Sequence, residues 1–366
     1  MTRLTRLKFI AAGAALLVAL TACSSTSTDT PAAAGSSTGS AAAGGSAAGT
    51  LRLGYFANVT HAAAVLGVAD GTFQKELGGT KLETSIFNAG PAAIEALNAG
   101  AIDASFLGPS PAINAFAKSN GEALRVVAGA TDNGASLVVK PDITSVADLK
   151  GKTIATPQLG GTQDVALRYY LLQNGLKVQT TGGDDVDVVN QENAQTLDLF
   201  KSGEVDGGWL PEPWASRLVV EAGAKVLVDE TTQWPGGKFP TTILIVSKTY
   251  LAAHPDQVKA LITGELAVLD EIAKDPKSAS TELNNAIGDL TGKKLGDGVI
   301  ERAFANIKPT YDPEASVWPA QSDHAVQAGL LKSAPDLNGL FDLRILNSVL
   351  AAEGKTTVSA AGAGQD

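Results

Sequence analysis

Two periodicities alternate along this chain in a fixed order. Short apolar runs of strand length lead into small-residue loops and then into apolar positions at helical spacing. Lys152–Gly175 is the clearest unit. Thr153-Ile154-Ala155 predicts a strand and Gln158-Leu159-Gly160-Gly161 a glycine loop. Val165–Leu172 predicts a helix, with Thr162 as its N-cap and Asn174-Gly175 as its stop. Leu51–Phe73 predicts strand, loop, Thr60 and helix in the same order, 102 positions earlier. Glu83–Asn88 predicts a strand leading into Gly90-Pro91 and a helix, and Val186–Gln191 does the same 103 positions on. IEALNAGAIDASFLGPSPA (Ile94–Ala112) lies over LDLFKSGEVDGGWLPEPWA (Leu197–Ala215). That alignment matches Gly100 with Gly203, Ile102 with Val205, Asp103 with Asp206 and Phe106 with Trp209. Four units at one offset predict two similar α/β lobes in tandem.

The same reading divides the whole chain: a leader over 1–22, a flexible Ala/Gly/Ser tether over 23–50, and the first part of lobe 1 over 51–139. Lobe 2 covers 140–240. Residues 241–352 return to lobe 1 through the β-branched run Thr241–Val246 and continue as C-terminal helices. Residues 353–366, small and polar, are expected to be disordered. Crossings between the lobes near Val139 and Thr242 predict a two-strand hinge, with a ligand cleft between lobes that close on it.

Composition changes the picture mainly at the N-terminus. Arg3, Arg6 and Lys8 precede the apolar run Phe9–Leu20, whose 12 residues fall short of the roughly 20 that a spanning helix needs. Leu20-Thr21-Ala22-Cys23 resembles the lipobox of bacterial lipoproteins, which implies that Cys23 is acylated and becomes the mature N-terminus. It is the only cysteine, so no intrachain disulfide can form. Removing the leader takes away three cations and no acid, and moves the net charge from −10 to −13. A body this acidic excludes nucleic acid as a partner by charge, and does not lie on anionic lipid by electrostatics. The lipid is then the anchor, holding the protein to the cell membrane on its extracytoplasmic face.

The candidate chemistry sits at helix N-termini. The loops Phe56–His61, Asn88–Pro91, Gly108–Pro111 and Gly160–Gln163 present free N–H groups and positive dipole ends to one cleft if the lobes face each other. Ser110 before Pro111 reads as an N-cap and first-turn proline. Gln191-Glu192-Asn193 opens the helix equivalent to the one at Pro91-Ala92. Plain helix caps give the same pattern; the pairing of units across two lobes favours an anion cleft. The candidate ligand contacts are Tyr55, Asn58, Thr60, His61, Asn88, Gly90, Ser110, Gly161, Thr162, Gln163, Gln191, Glu192, Glu212, Trp214 and Trp234. Trp209, on a strand, reads as core. Enzyme signatures are poor. His61, His254 and His324 are far apart, with no metal-ligand spacing, no nucleophile elbow and no phosphate loop, so no catalytic residue, metal or cofactor is expected.

The motifs AAIEALNAGAIDASFLGPSPA, SVADLKGKTIATP, GGTQDVALRYYL, VDGGWLPEPWASRL and HPDQVKALI together resemble the type II periplasmic-binding-protein group that serves ABC importers for aliphatic sulfonates, taurine, nitrate and thiamine-pyrimidine precursors. The resemblance covers about Leu51–Leu350. It implies two α/β lobes, a cleft site, a monomer, and delivery to permease and ATPase subunits. Gly160-Gly161-Thr162 and Glu212-Pro213-Trp214 resemble the nitrate and bicarbonate branch. There a ligand-contacting His usually follows the Thr, where this chain has Gln163, and a Gly precedes the Glu, where it has Pro211. Both departures point away from nitrate and towards an organic anion such as an alkylsulfonate, its tail against Trp214 or Trp234. A thiamine-precursor pyrimidine held by Glu192 or Glu212 is the alternative, and an enzyme on the same fold, such as a pyrimidine synthase, a further one.

Overall fold

The computed structural model describes residues 49–366. Cys23, the leader and most of the tether lie outside the described residues. Lobe 1 begins with β1 (Thr50–Tyr55), α1 (Ala62–Ala69), α2 (Thr72–Leu77), β2 (Lys81–Ile86), α3 (Gly90–Asn98), β3 (Ala104–Leu107), α4 (Pro109–Lys118) and β4 (Leu124–Asn133). Lobe 2 follows as β5 (Ala135–Val139), β6 (Thr153–Thr156), α5 (Thr162–Gln173), β7 (Asp187–Asn190), α6 (Asn193–Ser202), β8 (Gly207–Pro211), α7 (Trp214–Ala222) and β9 (Lys225–Asp229). The chain returns to lobe 1 as β10 (Pro240–Ser247), α8 (Lys248–Ala253), α9 (Pro255–Lys274), α10 (Pro276–Thr291), α11 (Asp297–Asn306), β11 (Ile307–Pro309), α12 (Trp318–Gln327), β12 (Phe341–Asp342), α13 (Arg344–Ala352) and β13 (Gly364–Gln365).

The two sheets share one plan. The first runs β13-β12-β4-β10-β3-β1-β2 with β11 also on β4; the second runs β7-β6-β8-β5-β9. In each, a parallel trio (β2-β1-β3, β7-β6-β8) meets an antiparallel strand that arrives through the hinge: β10 in lobe 1, β5 in lobe 2. The central strands are buried on both faces, as helix-covered sheets require, so β3, β5 and β8 read as continuous buried runs without alternation, while the edge strand β2 is mostly exposed. The internal repeat holds at atomic detail. Asp103 Oδ2 accepts from Arg52 N–H at 2.9 Å, and its counterpart Asp206 Oδ2 accepts from Thr153 N–H at 3.0 Å. A cation pairs with each: Arg52 with Asp103 at 2.5 Å, and Lys140 with Asp206 at 2.8 Å.

The crossings fall earlier than the sequence suggests. Val139 is no hinge residue. β5 is buried along its length and pairs with β8 and β9 from Ala135 onward, so the chain has already entered lobe 2. The pivot is Asn133-Gly134, with φ of 63° and 79°, the left-handed region where glycine carries no Cβ strain. The return pivot, Phe239-Pro240, lies alongside it: Asn133 N–H donates to Phe239 O at 2.9 Å.

The C-terminal helices complete lobe 1, with α9 lying against α1, α2 and α13. They also reach lobe 2, where His324 of α12 stacks on Tyr169 of α5 at 3.6 Å. Residues 353–366, expected to be disordered, pack instead. β13 pairs with β12, and Val358, Ala360 and Ala363 are buried in the lobe 1 core. No helix among the described residues is long and apolar enough to cross a membrane.

Candidate functional site

Between the lobes lies a small cavity of about 30 Å³, room for about two water-sized groups. Lobe 1 lines it with Phe56, Asn58, Thr60, His61, Asn88, Ala89, Gly90, Gly108, Pro111 and Thr241. Lobe 2 contributes Pro157, Gly161, Thr162, Gln163, Asn193 and Pro211. Eight of the candidate contacts are gathered here: Asn58, Thr60, His61, Asn88, Gly90, Gly161, Thr162 and Gln163. Both lobes meet it with the C-terminal ends of their parallel strands and the N-termini of the helices that follow, where the first N–H groups have no intrahelical partner.

No lysine, arginine or carboxylate lines the cavity, so whatever enters meets neutral dipoles. His61 fits that rule. It is 3% exposed, and burial lowers its pKa to about 3. Its Nδ1 accepts from Phe56 N–H at 3.3 Å, which leaves the proton on Nε2, and its ring stacks on Phe56 at 4.2 Å. Thr162 Oγ1 and Asn193 Oδ1 are buried there with no partner. Unpaired buried polar atoms cost free energy, so the Thr162 hydroxyl is poised to donate to an occupant and Asn193 Oδ1 to accept from one.

The α5 end of the cavity rests on a residue outside the candidate set. Asp164 and Arg168 are fully buried and pair at 3.0 Å, one helical turn apart. Asp164 Oδ1 also accepts from the Thr156 hydroxyl at 2.9 Å and from Asn190 Nδ2 at 3.0 Å, and Oδ2 accepts from Gly160 N–H at 3.0 Å. The acid thus clamps the glycine loop, while Arg168 cancels the charge that would otherwise repel an anion. An acid three residues into a glycine-loop helix was the available sequence signal. Asn193, first residue of α6, and Thr241, set by the register of β10, were also passed over as contacts.

Several candidates sit elsewhere. Thr162 is not the N-cap; Gly161 takes that position in extended conformation and Thr162 is the first helical residue. Thr60 likewise lies inside a single 3-10 turn (Val59–His61) and donates its N–H across the cleft to Glu212 O at 3.3 Å. Gly108, not Ser110, caps α4; Ser110 is the second helical residue, buried and not part of the cavity wall. Tyr55 is 1% exposed in the lobe 1 core. Trp234 is core as well: it packs against Phe239 at 6.1 Å and donates Nε1–H to Glu230 at 3.3 Å, while Trp209, core as expected, donates to the same carboxyl at 2.6 Å.

Glu212 is a strut. Its carboxylate is 1% exposed, accepts from Asn306 Nδ2 at 2.7 Å and from Ser216 N–H at 3.1 Å, and burial raises its pKa. Gln191 and Glu192 flank the cavity without lining it, and Glu192 Oε1 accepts from Asn88 Nδ2 at 2.8 Å across the mouth. Trp214 donates Nε1–H to Asn58 Oδ1 at 2.9 Å, with the Arg217 guanidinium 4.7 Å over its ring. It borders a second, open groove of about 740 Å³ that shares Asn88 with the inner cavity.

The match to known proteins now has a place to attach. Residues 44–280 match the model of the NMT1-like family. This chain belongs to that family. A protein of Escherichia coli (strain K12) named for binding aliphatic sulfonates is 31% identical over 296 residues, covering 78% of this chain and 86% of that protein. The taurine-binding periplasmic protein of the same organism is 30% identical over 192 residues, covering 52% of this chain and 57% of it. The alkanesulfonate-binding protein SsuA from Xanthomonas axonopodis pv. citri, bound to MOPS, superimposes with a TM-score of 0.65 at 25% identity, over 78% of this chain and 95% of its own. The fold is that of the periplasmic binding proteins, and these relatives are binding proteins.

Proposed function

We propose that the protein captures a small organic oxyanion, an aliphatic sulfonate or taurine-like compound, and delivers it to the permease and ATPase of an ABC importer. The observation that carries this reading is the inner cavity itself. It is walled by helix N-termini from both lobes, holds the unpartnered hydroxyl of Thr162 and has no ionised group. Such a wall suits a group that accepts several hydrogen bonds at once and brings its own negative charge. The Thr162 and Gln163 N–H groups, the Thr162 hydroxyl and the neutral His61 are the donors. At about 30 Å³ the cavity takes a head group only. The tail would leave past Asn88 into the groove beside Trp214 and Arg217, and not towards Trp234, which is sealed in the core.

The small cavity favours one second reading, a tailless oxyanion such as nitrate. A pyrimidine fits less well, because the Glu212 carboxylate that would bond its ring nitrogens already serves Asn306 and Ser216. In our reading the mature protein is a monomer held to the membrane by a lipid on Cys23. The test is a ligand-dependent melting shift over methanesulfonate, butanesulfonate, taurine, MOPS, nitrate and a hydroxymethylpyrimidine. A ligand at about 100 times its Kd stabilises by roughly 2.7 kcal/mol. A sulfonate should give the largest shift; the pyrimidine giving it would overturn the anion assignment. Cys23→Ser should release the protein from the membrane fraction, and anchoring that persists would remove the lipid from the account.

A further inference from the structure

The inner cavity is not symmetric, although similar lobes build its two walls. Gly90 is the first residue of α3 and Asn193 the first of α6, and both line the cavity. Lobe 1 has no room for a side chain there, since a Cβ on Gly90 would stand 2.5 Å from Pro111 Cγ. Lobe 2 carries an amide at the equivalent place. Asn193 is 5% exposed, and its Oδ1 is buried with no hydrogen-bond partner. Neighbouring polar groups of the wall are already engaged. Asn58 Oδ1 accepts from Trp214 Nε1–H at 2.9 Å, Asn88 Nδ2 donates to Glu192 Oε1 at 2.8 Å, and the Thr241 hydroxyl donates to Asn133 O.

An oxyanion set against Asn193 Oδ1 brings two acceptors together with no proton between them. An amide oxygen has nothing to donate. Left unpaired in the closed cleft, it keeps the full cost of its lost water. The missing proton must therefore arrive with the occupant. We propose that Asn193 determines head-group specificity: its Oδ1 accepts a hydrogen bond from the head itself, so the site prefers an oxyanion that carries its own donor. This rests on the anion reading above and narrows it. The preferred ligand is a sulfonate or sulfamate whose first tail atom is, or bears, an N–H or O–H donor. Its oxygens take the bonds from Thr162, Gln163 and His61, and its one donor goes to Asn193. With the amide turned round, an NH2 group would join a wall already rich in donors, and a head without a donor would bind as well.

Sulfamate and methanesulfonate are the probes that separate these cases. They have the same charge and nearly the same size, with an amino group in one where the other has a methyl. A site built to bond an N–H rejects the analogue that lacks it. Calorimetric titration of the full chain carrying Cys23→Ser should find sulfamate roughly 5- to 150-fold tighter, the span set by one buried acceptor left unpaired. Asn193→Leu keeps the bulk and removes the acceptor, and should bring the ratio of the two affinities close to one. The ratio is taken within each protein, so a general loss of stability or of closure cancels, and the wild-type ratio stands without any variant. Methanesulfonate binding the wild type as tightly as sulfamate would overturn the role of Asn193 and leave the anion reading intact. A preference that Asn193→Leu retains would overturn it too, by placing the acceptor elsewhere. If neither probe binds the wild type, the anion reading falls and this inference falls with it.

Discussion

Gly108→Ala tests whether the closed cleft is what binds. Gly108 sits at φ −78° and ψ 160°, a conformation any residue accepts, so the backbone gives alanine no penalty. The obstacle is across the cleft. A methyl on Gly108 would stand well inside van der Waals contact of Thr162 Oγ1, 3.2 Å from Thr162 Cβ and 3.4 Å from Thr241 O. Overpacking of this kind costs about 1–3 kcal/mol. In a rigid core that cost would fall on folding; here the lobes avoid it by staying apart, so it falls on closure. Affinity should drop roughly 5- to 150-fold, since each 1.4 kcal/mol is a decade. The ligand-free melting point should hold or rise, because alanine lowers the entropy of the unfolded chain by about 0.4–1 kcal/mol. Adding Thr162→Ala removes Oγ1 and leaves only the 3.2 Å approach to Cβ, a few tenths of an ångström from ordinary contact. The double variant should therefore bind better than Gly108→Ala alone, although it lacks a hydroxyl the site would use. Calorimetric titration with whichever sulfonate binds the wild type measures both steps, and small-angle scattering reads the compaction. Wild-type affinity in Gly108→Ala, or no recovery in the double variant, would refute the reasoning.

Two stability predictions rest on buried charge. Arg168→Met leaves Asp164 buried opposite no cation and should cost about 3–5 kcal/mol by urea unfolding; a loss under 1 kcal/mol would show the pair to be dispensable. Glu230, raised by burial from 4.5 to about 7 between two indole N–H donors, should make stability fall as pH rises. The raised folded pKa means its contribution is full below about 4.5 and lost through about 7, roughly 3 kcal/mol in all. Glu230→Gln should flatten that part of the profile, and a slope between pH 5 and 7 that survives the substitution would assign it elsewhere.

The repeat offset was legible because the pairing that defines it is local in each lobe. Asp103 and Asp206 each reach the strand start facing them, Arg52 and Thr153, so both copies had to keep an aspartate there. The crossings were not legible, because a buried apolar strand such as Ala135–Val139 does not declare which sheet it joins. Thr162 was misplaced by one residue, and helix starts carry that uncertainty whenever glycine takes the cap. Trp234 looked free beside Pro235-Gly236-Gly237, yet Glu230, four residues earlier, turns its ring inward. The tail failed on composition: small residues that cannot build a core can still seal one.

The closed form is held by modest ties. Asn88 to Glu192, Trp214 to Asn58 and Thr60 N–H to Glu212 O cross at the cleft loops, while Asn306 to Glu212 and Gln173 to Gln327 at 2.9 Å cross from the C-terminal helices. Each such bond is worth about 0.5–1.5 kcal/mol net, and two of them, Asn88 to Glu192 and Gln173 to Gln327, are exposed, so together they offset little more than the ordering they require. That leaves the balance to the occupant. An oxyanion at the cavity meets helix N-termini from both lobes only when they are closed, so its bonds there are almost wholly differential between the two states, which is the condition for a ligand to drive closure. Because the wall offers dipoles and no fixed cation, the same bonds vanish once the lobes part. A lysine in the wall would hold the anion on one lobe after opening, and a protein that must hand its cargo on is better served without one.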